Sequence, residues 1–203
     1  MSDAKQDVDL GVTPAVVMGQ PIDTQAAAAA ESAAIPAPQP TLIRNGELQV
    51  DTWQRFAPSE DRKLPADDGD WLVPLPVWLE AHAQLRTRQH PVGIFLQPAD
   101  EPLELADHGV FDATGVALIA IDFPQYTDGR GYSIAQILRT RLKYTGELRA
   151  VGDVMIDTIH YQARCGFDSF MLKPGHRPEE ALAAFNAFTV HYQQTYPKPR
   201  QVA

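Results

Sequence analysis

The sequence predicts an α/β fold with a mainly parallel sheet built from βα units, and three observations predict it. Val116 to Ile121 is an unbroken apolar run, the pattern of a central strand buried on both faces. Between Asp128 and Phe170, glycine-marked helical stretches alternate with short strand-like runs in the order βαβαβ. Further apolar runs upstream are too short for stable helices and are bounded by prolines, which again favours strands. Two arrangements satisfy this pattern, an open three-layer sheet and a partial barrel.

Taken in order, residues 1–40 lack aromatics, are rich in proline, carry more acids than bases and include the run Ala26 to Ala30. Such a segment cannot bury enough apolar surface to offset the cost of ordering its backbone, so a disordered tail is expected. Residues 41–70 are read as a hairpin and loop extension. Asn45-Gly46 between Thr41-Leu42-Ile43 and Glu47-Leu48-Gln49-Val50 favours a type I′ turn, and the polar stretch 51–70 is expected to be loop. Residues 71–196 form the α/β domain. Trp71 to Leu75 is extended, and Pro76 suits the first turn of a helix reaching about Arg88. Val92 to Leu96 is a strand and Pro102 to Asp107 a single helical turn.

After Phe123 a loop leads to Ser133-Ile134-Ala135-Gln136, which fits a capping box. Its helix carries Ile134, Ile137, Leu138 and Leu142 on one face and Arg139, Arg141 and Lys143 near the carbonyl end, with Gly146 as its stop. Glu147 to Val151 is the next strand. Asp153 is expected to cap a helix burying Met155, Ile159 and Ala163 that stops at Gly166. Phe167 to Leu172 returns as a strand, and Pro178-Glu179-Glu180 opens a last helix with Leu182, Phe185, Phe188 and Tyr192 as its stripe.

Charge and composition narrow the function. The 203-residue chain has a formal charge of −9 and a pI near 5.0, which speaks against a general nucleic-acid binder. Neither a membrane span nor a signal peptide is legible, so a cytoplasmic location is expected. Cys165 is the sole cysteine, so one chain can form neither an internal disulfide nor a Cys-x-x-Cys pair. Gly129-Arg130-Gly131 has Ile134 where the dinucleotide fingerprint needs its third glycine, and no P-loop is present. No cofactor is encoded by a recognisable motif, and electron transfer would need a borrowed one. His160 and His191 lack partners at metal-ligand spacing and are read as surface or packing residues. Cys165 ends a helix, so the helix dipole does not stabilise its thiolate, and a buried inert thiol is expected.

Right-handed crossovers place the C-terminal ends of parallel strands on one side, where ligands of α/β sheets bind. The loops expected there are residues 122–133, 152–153 and 173–177. Two helix N-termini add unpaired amides, so an anion such as phosphate, sulfite or a carboxylate is the natural guest. Arg130, Ser133, Gly131, Lys173, His176 and Arg177 are the candidate anion-binding residues, and Asp128 and Asp153 the candidate acid/base groups. Ser133 and Asp153 equally serve as plain caps, and Arg130 as the partner of Asp128. Arg149 lies within a strand and needs a carboxylate, with Glu147, Asp153 and Asp157 in range; a structural ion pair is expected.

The blocks GRGYSIAQILR, GELRAVGDV and RCGFDSF, in this order, resemble the DUF934 family of bacterial proteins over roughly residues 72–188. Members are described as oxidoreductases of sulfite reduction and are typically encoded beside the sulfite reductase haemoprotein. The resemblance therefore implies an accessory protein of assimilatory sulfite reduction, within sulfate assimilation and cysteine biosynthesis. It would support the haemoprotein by docking, by electron delivery or by anion handling. Two alternatives stand beside this: a stand-alone enzyme acting on a small anion, with Arg130 as clamp, and a non-catalytic scaffold.

Overall fold

The computed structural model describes residues 41–106, 108–185 and 192; the expectations for residues 1–40, Phe188 and His191 lie outside them. These residues form a mixed α/β structure, an eight-stranded sheet curled into a half barrel with four helices.

Asn45 (φ 53°) and Gly46 (φ 76°) are both left-handed, as a type I′ turn requires, so β1 (Thr41–Arg44) and β2 (Glu47–Gln49) fold into a hairpin. It is not the extension that the sequence suggests. β1 pairs antiparallel with the last strand, β8 (Ser169–Leu172), and so belongs to the main sheet. The expected loop also supplies a strand, β3 (Gln54–Arg55), which runs parallel to β4 (Trp71–Pro74). Then follow α1 (Leu75–Leu85), β5 (Val92–Leu96), a 3-10 turn over Pro102–Leu105 and β6 (Val116–Phe123). The chain continues through α2 (Arg130–Thr140), β7 (Glu147–Gly152), α3 (Ile156–Arg164), β8 and α4 (Pro178–Ala184). In α4 Ala181 is buried and Leu182 packs on the core together with Phe185 just after the helix, whereas Tyr192, outside α4, is exposed.

The strand order is β2-β1-β8-β7-β6-β5-β4-β3. From β3 to β8 every strand lies parallel beside its successor, without the reversal that defines a doubly wound sheet. Right-handed crossovers repeated in one direction put the helices on one face and curl the sheet, as in α/β barrels. A covalent constraint fixes how far. β2 and β3 occupy opposite edges, yet only residues 50–53 join them. That span reaches at most about 18 Å, whereas eight strands side by side in a flat sheet would separate the edges by about 34 Å.

The curl gives the sheet two unlike faces. The outer face carries Val73, Ile94, Leu96, Ile119, Ile121, Phe123, Leu148 and Ala150, which pack with Trp78, Leu85, Ile134, Leu138 and Ile159 from the helices. The inner face holds a smaller apolar cluster of Leu72, Phe95, Leu118 and Ala120, covered by Trp53 and flanked by Val151. One inner row crosses the sheet through Phe95, Ala120, Arg149, Ser169 and Arg44 in register, so it turns from apolar to charged toward β1.

Arg139 shows how helices and sheet are tied. Expected as a cation at a helix end, it instead tucks in its side chain, which is 8% exposed and donates to the carbonyls of Tyr144 (2.7 Å), Gly146 (2.8 Å) and Gly166 (2.8 Å). It also pairs with Asp168, whose Oδ2 accepts the Leu148 amide at 2.9 Å. One guanidinium thus closes α2, caps the end of α3, where Gly166 adopts φ +106°, and anchors the start of β7.

Gly131 lets α2 sit directly on β6, because a Cβ there would lie 2.6 Å from the Phe123 ring. Gly131→Ala should cost about 1–3 kcal/mol by urea denaturation. Gly129→Ala, in open space two residues earlier, should change stability by less than about 1 kcal/mol.

Candidate functional site

The loops following β6, β7 and β8 meet at the C-terminal rim of the parallel strands, and Asp153 stitches them together. Its Oδ2 accepts the Tyr126 amide at 3.0 Å, and its Oδ1 lies 2.7 Å from Lys173 Nζ. The Lys173 amide adds a bond to the Val154 carbonyl at 3.0 Å. Occupied in this way, Asp153 is not the cap the sequence suggests. α3 begins at Ile156 with Met155 in the cap position. His176 approaches the same loop, with Nε2 3.4 Å from Met155 Sδ.

The start of α2 is displaced for a similar reason. Asp128 Oδ1 accepts the Arg130 amide at 3.1 Å, and the two side chains pair at 2.6 Å. The helix therefore begins at Arg130 with Gly129 as its cap residue, and Ser133 stands exposed inside it, outside the expected capping box. Gly131 is buried against the Phe123 ring, so close packing explains it without a guest. Arg177 pairs with Glu180 on α4 at 2.9 Å. Arg130, Lys173 and Arg177 each already hold a carboxylate.

Those pairings set the protonation of the rim. The Arg130 side chain, then its amide, hold Asp128 below the ordinary aspartate value, and Lys173, then the Tyr126 amide, do the same for Asp153. Both candidate acid/base groups are thereby kept as anions. Asp122 moves the other way. Burial pushes its carboxyl up, the neighbouring Asp128 charge adds to the rise, and Arg55 opposes it. Asp122 lies at the C-terminal end of β6 on the inner face. Beside it Gly152 adopts φ +92°, where a Cβ would lie 2.7 Å from Asp122 Oδ1. Arg55 lies over the Phe95 ring at 3.8 Å. Sequence reasoning passed over Asp122, although a lone carboxylate closing the apolar run Val116 to Ile121 was the available signal.

Arg149 is buried in the inner face. It contacts Glu147 at 2.8 Å and Ser169 Oγ at 3.3 Å, and its Nη1 meets Asp51 Oδ1 at 2.6 Å. Arg44 reaches the other Glu147 oxygen at 3.0 Å. Asp51, distant in sequence, takes the place expected of Asp157, which is exposed on α3. Cys165 is buried, and burial pushes its thiol up. His160 is half-buried on α3. Among the described residues no three His, Cys, Asp or Glu side chains converge as a metal site, and no helix is long and apolar enough to cross a membrane.

The family model described as "Bacterial protein of unknown function (DUF934)" matches residues 93–202, more than half of the chain. The match takes in β5 to α4, with Asp122, Glu147, Arg149 and the rim loops, and leaves out β1 to β4 with Arg44 and Asp51. Neither a curated protein nor a solved structure matches the chain.

The opposed shifts predict opposed pH profiles. Raising pH through the ordinary aspartate value of 3.8 ionises Asp122 in the unfolded chain first, so its charge weakens the fold increasingly until the folded carboxyl has ionised too. Asp122→Asn should match the parent in acid and be more stable at neutral pH. Asp153, depressed when folded, contributes stability that is present above 3.8 and lost as pH falls through its folded value. Asp153→Asn should therefore be less stable at neutral pH, with the difference vanishing in acid. Urea denaturation across the acid-to-neutral range reads both.

Proposed function

Because the chain belongs to the DUF934 family, we propose that it is an accessory protein of assimilatory sulfite reduction that supports the sulfite reductase haemoprotein by docking to it. The pathway rests on the family resemblance carried by the three sequence blocks. The docking role rests on one observation, the charge pairing of the rim. Arg130, Lys173 and Arg177 each face a carboxylate of their own, Asp128, Asp153 and Glu180, so the rim presents charges of both signs, a pattern that suits a complementary protein surface. Exposed Tyr126 sits in the loop that carries the Asp128–Arg130 pair, with its amide on Asp153, and tyrosine and arginine are the side chains enriched where proteins meet. Electron delivery would add a borrowed cofactor to the same docked complex.

A second reading is favoured by Asp122. A carboxyl raised by burial, with Arg55 nearby and set at the mouth of a half barrel, is a proton-transfer group suited to a small anionic substrate. In that enzyme Asp122 takes the acid/base role expected of Asp128 and Asp153.

A strain lacking the gene should fail to grow on sulfate or sulfite and grow on cysteine. Equal growth on all three would remove the pathway. Tagged full-length protein should co-purify with the haemoprotein, and the pair Tyr126→Ala and Arg130→Ala should weaken that association about tenfold or more. Retention unchanged by both substitutions would move the contact away from the rim. Failure to complement the strain by Asp122→Asn protein that still co-purifies would favour the enzyme.

A further inference from the structure

Residues 50–53 run across the open side of the half barrel from one sheet edge to the other. Val50 is exposed, while Trp53 lies on the inner apolar cluster above Gly93, where a Cβ would meet the indole at 3.1 Å. The strap is fastened by Asp51 to Arg149 and by Thr52 Oγ1 to Asp70 at 2.6 Å. Of the two polar fastenings only the first reaches the inner face, beside the apolar seat of Trp53.

The charges beneath it balance as two against two: Arg44 and Arg149 with Glu147 and Asp51. Arg149 is 2% exposed, and although Glu147 still answers its Nε and Nη2, the departure of Asp51 would leave Nη1 buried without its acceptor. A buried charged donor left unmet is unfavourable. The strap is therefore held shut unless another anion arrives at Arg149 Nη1. An anion that does arrive removes the reason for Asp51 to stay.

We infer that Arg149 is a binding site for a compact oxoanion of carboxylate size, that Asp51 occupies it as the chain's own surrogate ligand, and that the strap is a lid which such an anion releases. The required chemistry follows from the donor, since without Asp51 the buried Nη1 needs an acceptor, and an anion gives the strongest one. The geometry follows from the guanidinium, whose Nη1 is already aligned on a carboxylate oxygen at 2.6 Å. Exposed Arg44, sharing Glu147 with Arg149, marks the side from which the anion enters. Release of the strap would uncover Leu72, Phe95, Leu118 and Ala120, an apolar floor next to the rim carboxyl Asp122. The inference is independent of the sulfur assignment, because it rests only on the chemistry of a guanidinium and its carboxylate.

Anion rescue tests it. The full-length Asp51→Ala protein should melt below the parent, and sodium acetate or sodium sulfite should restore the lost melting temperature, where sodium chloride at the same ionic strength does not. The tethered aspartate competes at an effective concentration of about millimolar or more, so the Asp51→Ala protein should bind either anion about tenfold or more tightly than the parent by calorimetry. Asp51→Ala combined with Arg149→Met should bind neither. In the parent, acetate or sulfite should speed hydrogen exchange of the amides of residues 51–53 relative to chloride. Should Asp51→Ala not fold, Asp51→Asn, which keeps an acceptor beside Arg149, is titrated with the same salts. No preference for either oxoanion over chloride, or a preference surviving loss of Arg149, overturns the inference whatever the growth test shows. Rescue by either oxoanion upholds it, and the acetate arm separates binding at the guanidinium from any chemistry particular to sulfite.

Discussion

Gln49 and Gln54 end and begin strands on opposite edges of one sheet, and the four residues between them are too few to cross it flat. Everything distinctive about the molecule follows from that short tether. The curl that brings the edges together makes an inner face too narrow for a layer of helices, so the helices lie outside. The inner face must then be closed by what the chain has to hand, a tryptophan on the apolar half and an aspartate on the charged half. The one-directional strand order favours the same curl independently of the tether.

A second constraint is electrostatic. Buried arginines persist only where carboxylates or carbonyls answer them, and two of them tie distant parts of the chain together. Arg139 joins the ends of α2 and α3 to the start of β7, and Arg149 joins β7 to Asp51 and, through Glu147, to Arg44. The rim follows the same rule at the surface with shorter reach. Its pairs join Asp128 to Arg130 within one loop and Asp153 to Lys173 between two. Against this background Asp122 stands out among the described residues as a carboxyl that burial holds toward its neutral form.

Local signals in the sequence were legible because their causes are local. Asn45-Gly46 specifies a left-handed pair, the apolar run of β6 specifies a buried strand, and Gly166 closes α3 in the conformation only glycine adopts without strain. The helix starts at Ser133 and Asp153 were misread because a competing partner decided each. Asp128 captured the earlier amide, and Lys173 captured Asp153. Long-range facts were not legible at all. Nothing near Arg149 in sequence points to Asp51, 98 residues away, nor does periodicity reveal that Arg139 turns inward to meet Gly166 and Asp168. Whether the hairpin stood apart or joined the sheet was decided by its pairing with β8, which no pattern within residues 41–50 contains.

That pairing also governs how the molecule comes into being. Leu42 is the register partner of Met171, so an early strand cannot find its neighbour until a late one has left the ribosome. At ordinary translation speeds the wait is on the order of ten seconds, during which the hairpin has only its own turn to hold it. Synthesis, not sequence order along the sheet, therefore sets the moment at which the inner face is sealed, and a nascent chain carries its Leu42 and Ile43 uncovered until then.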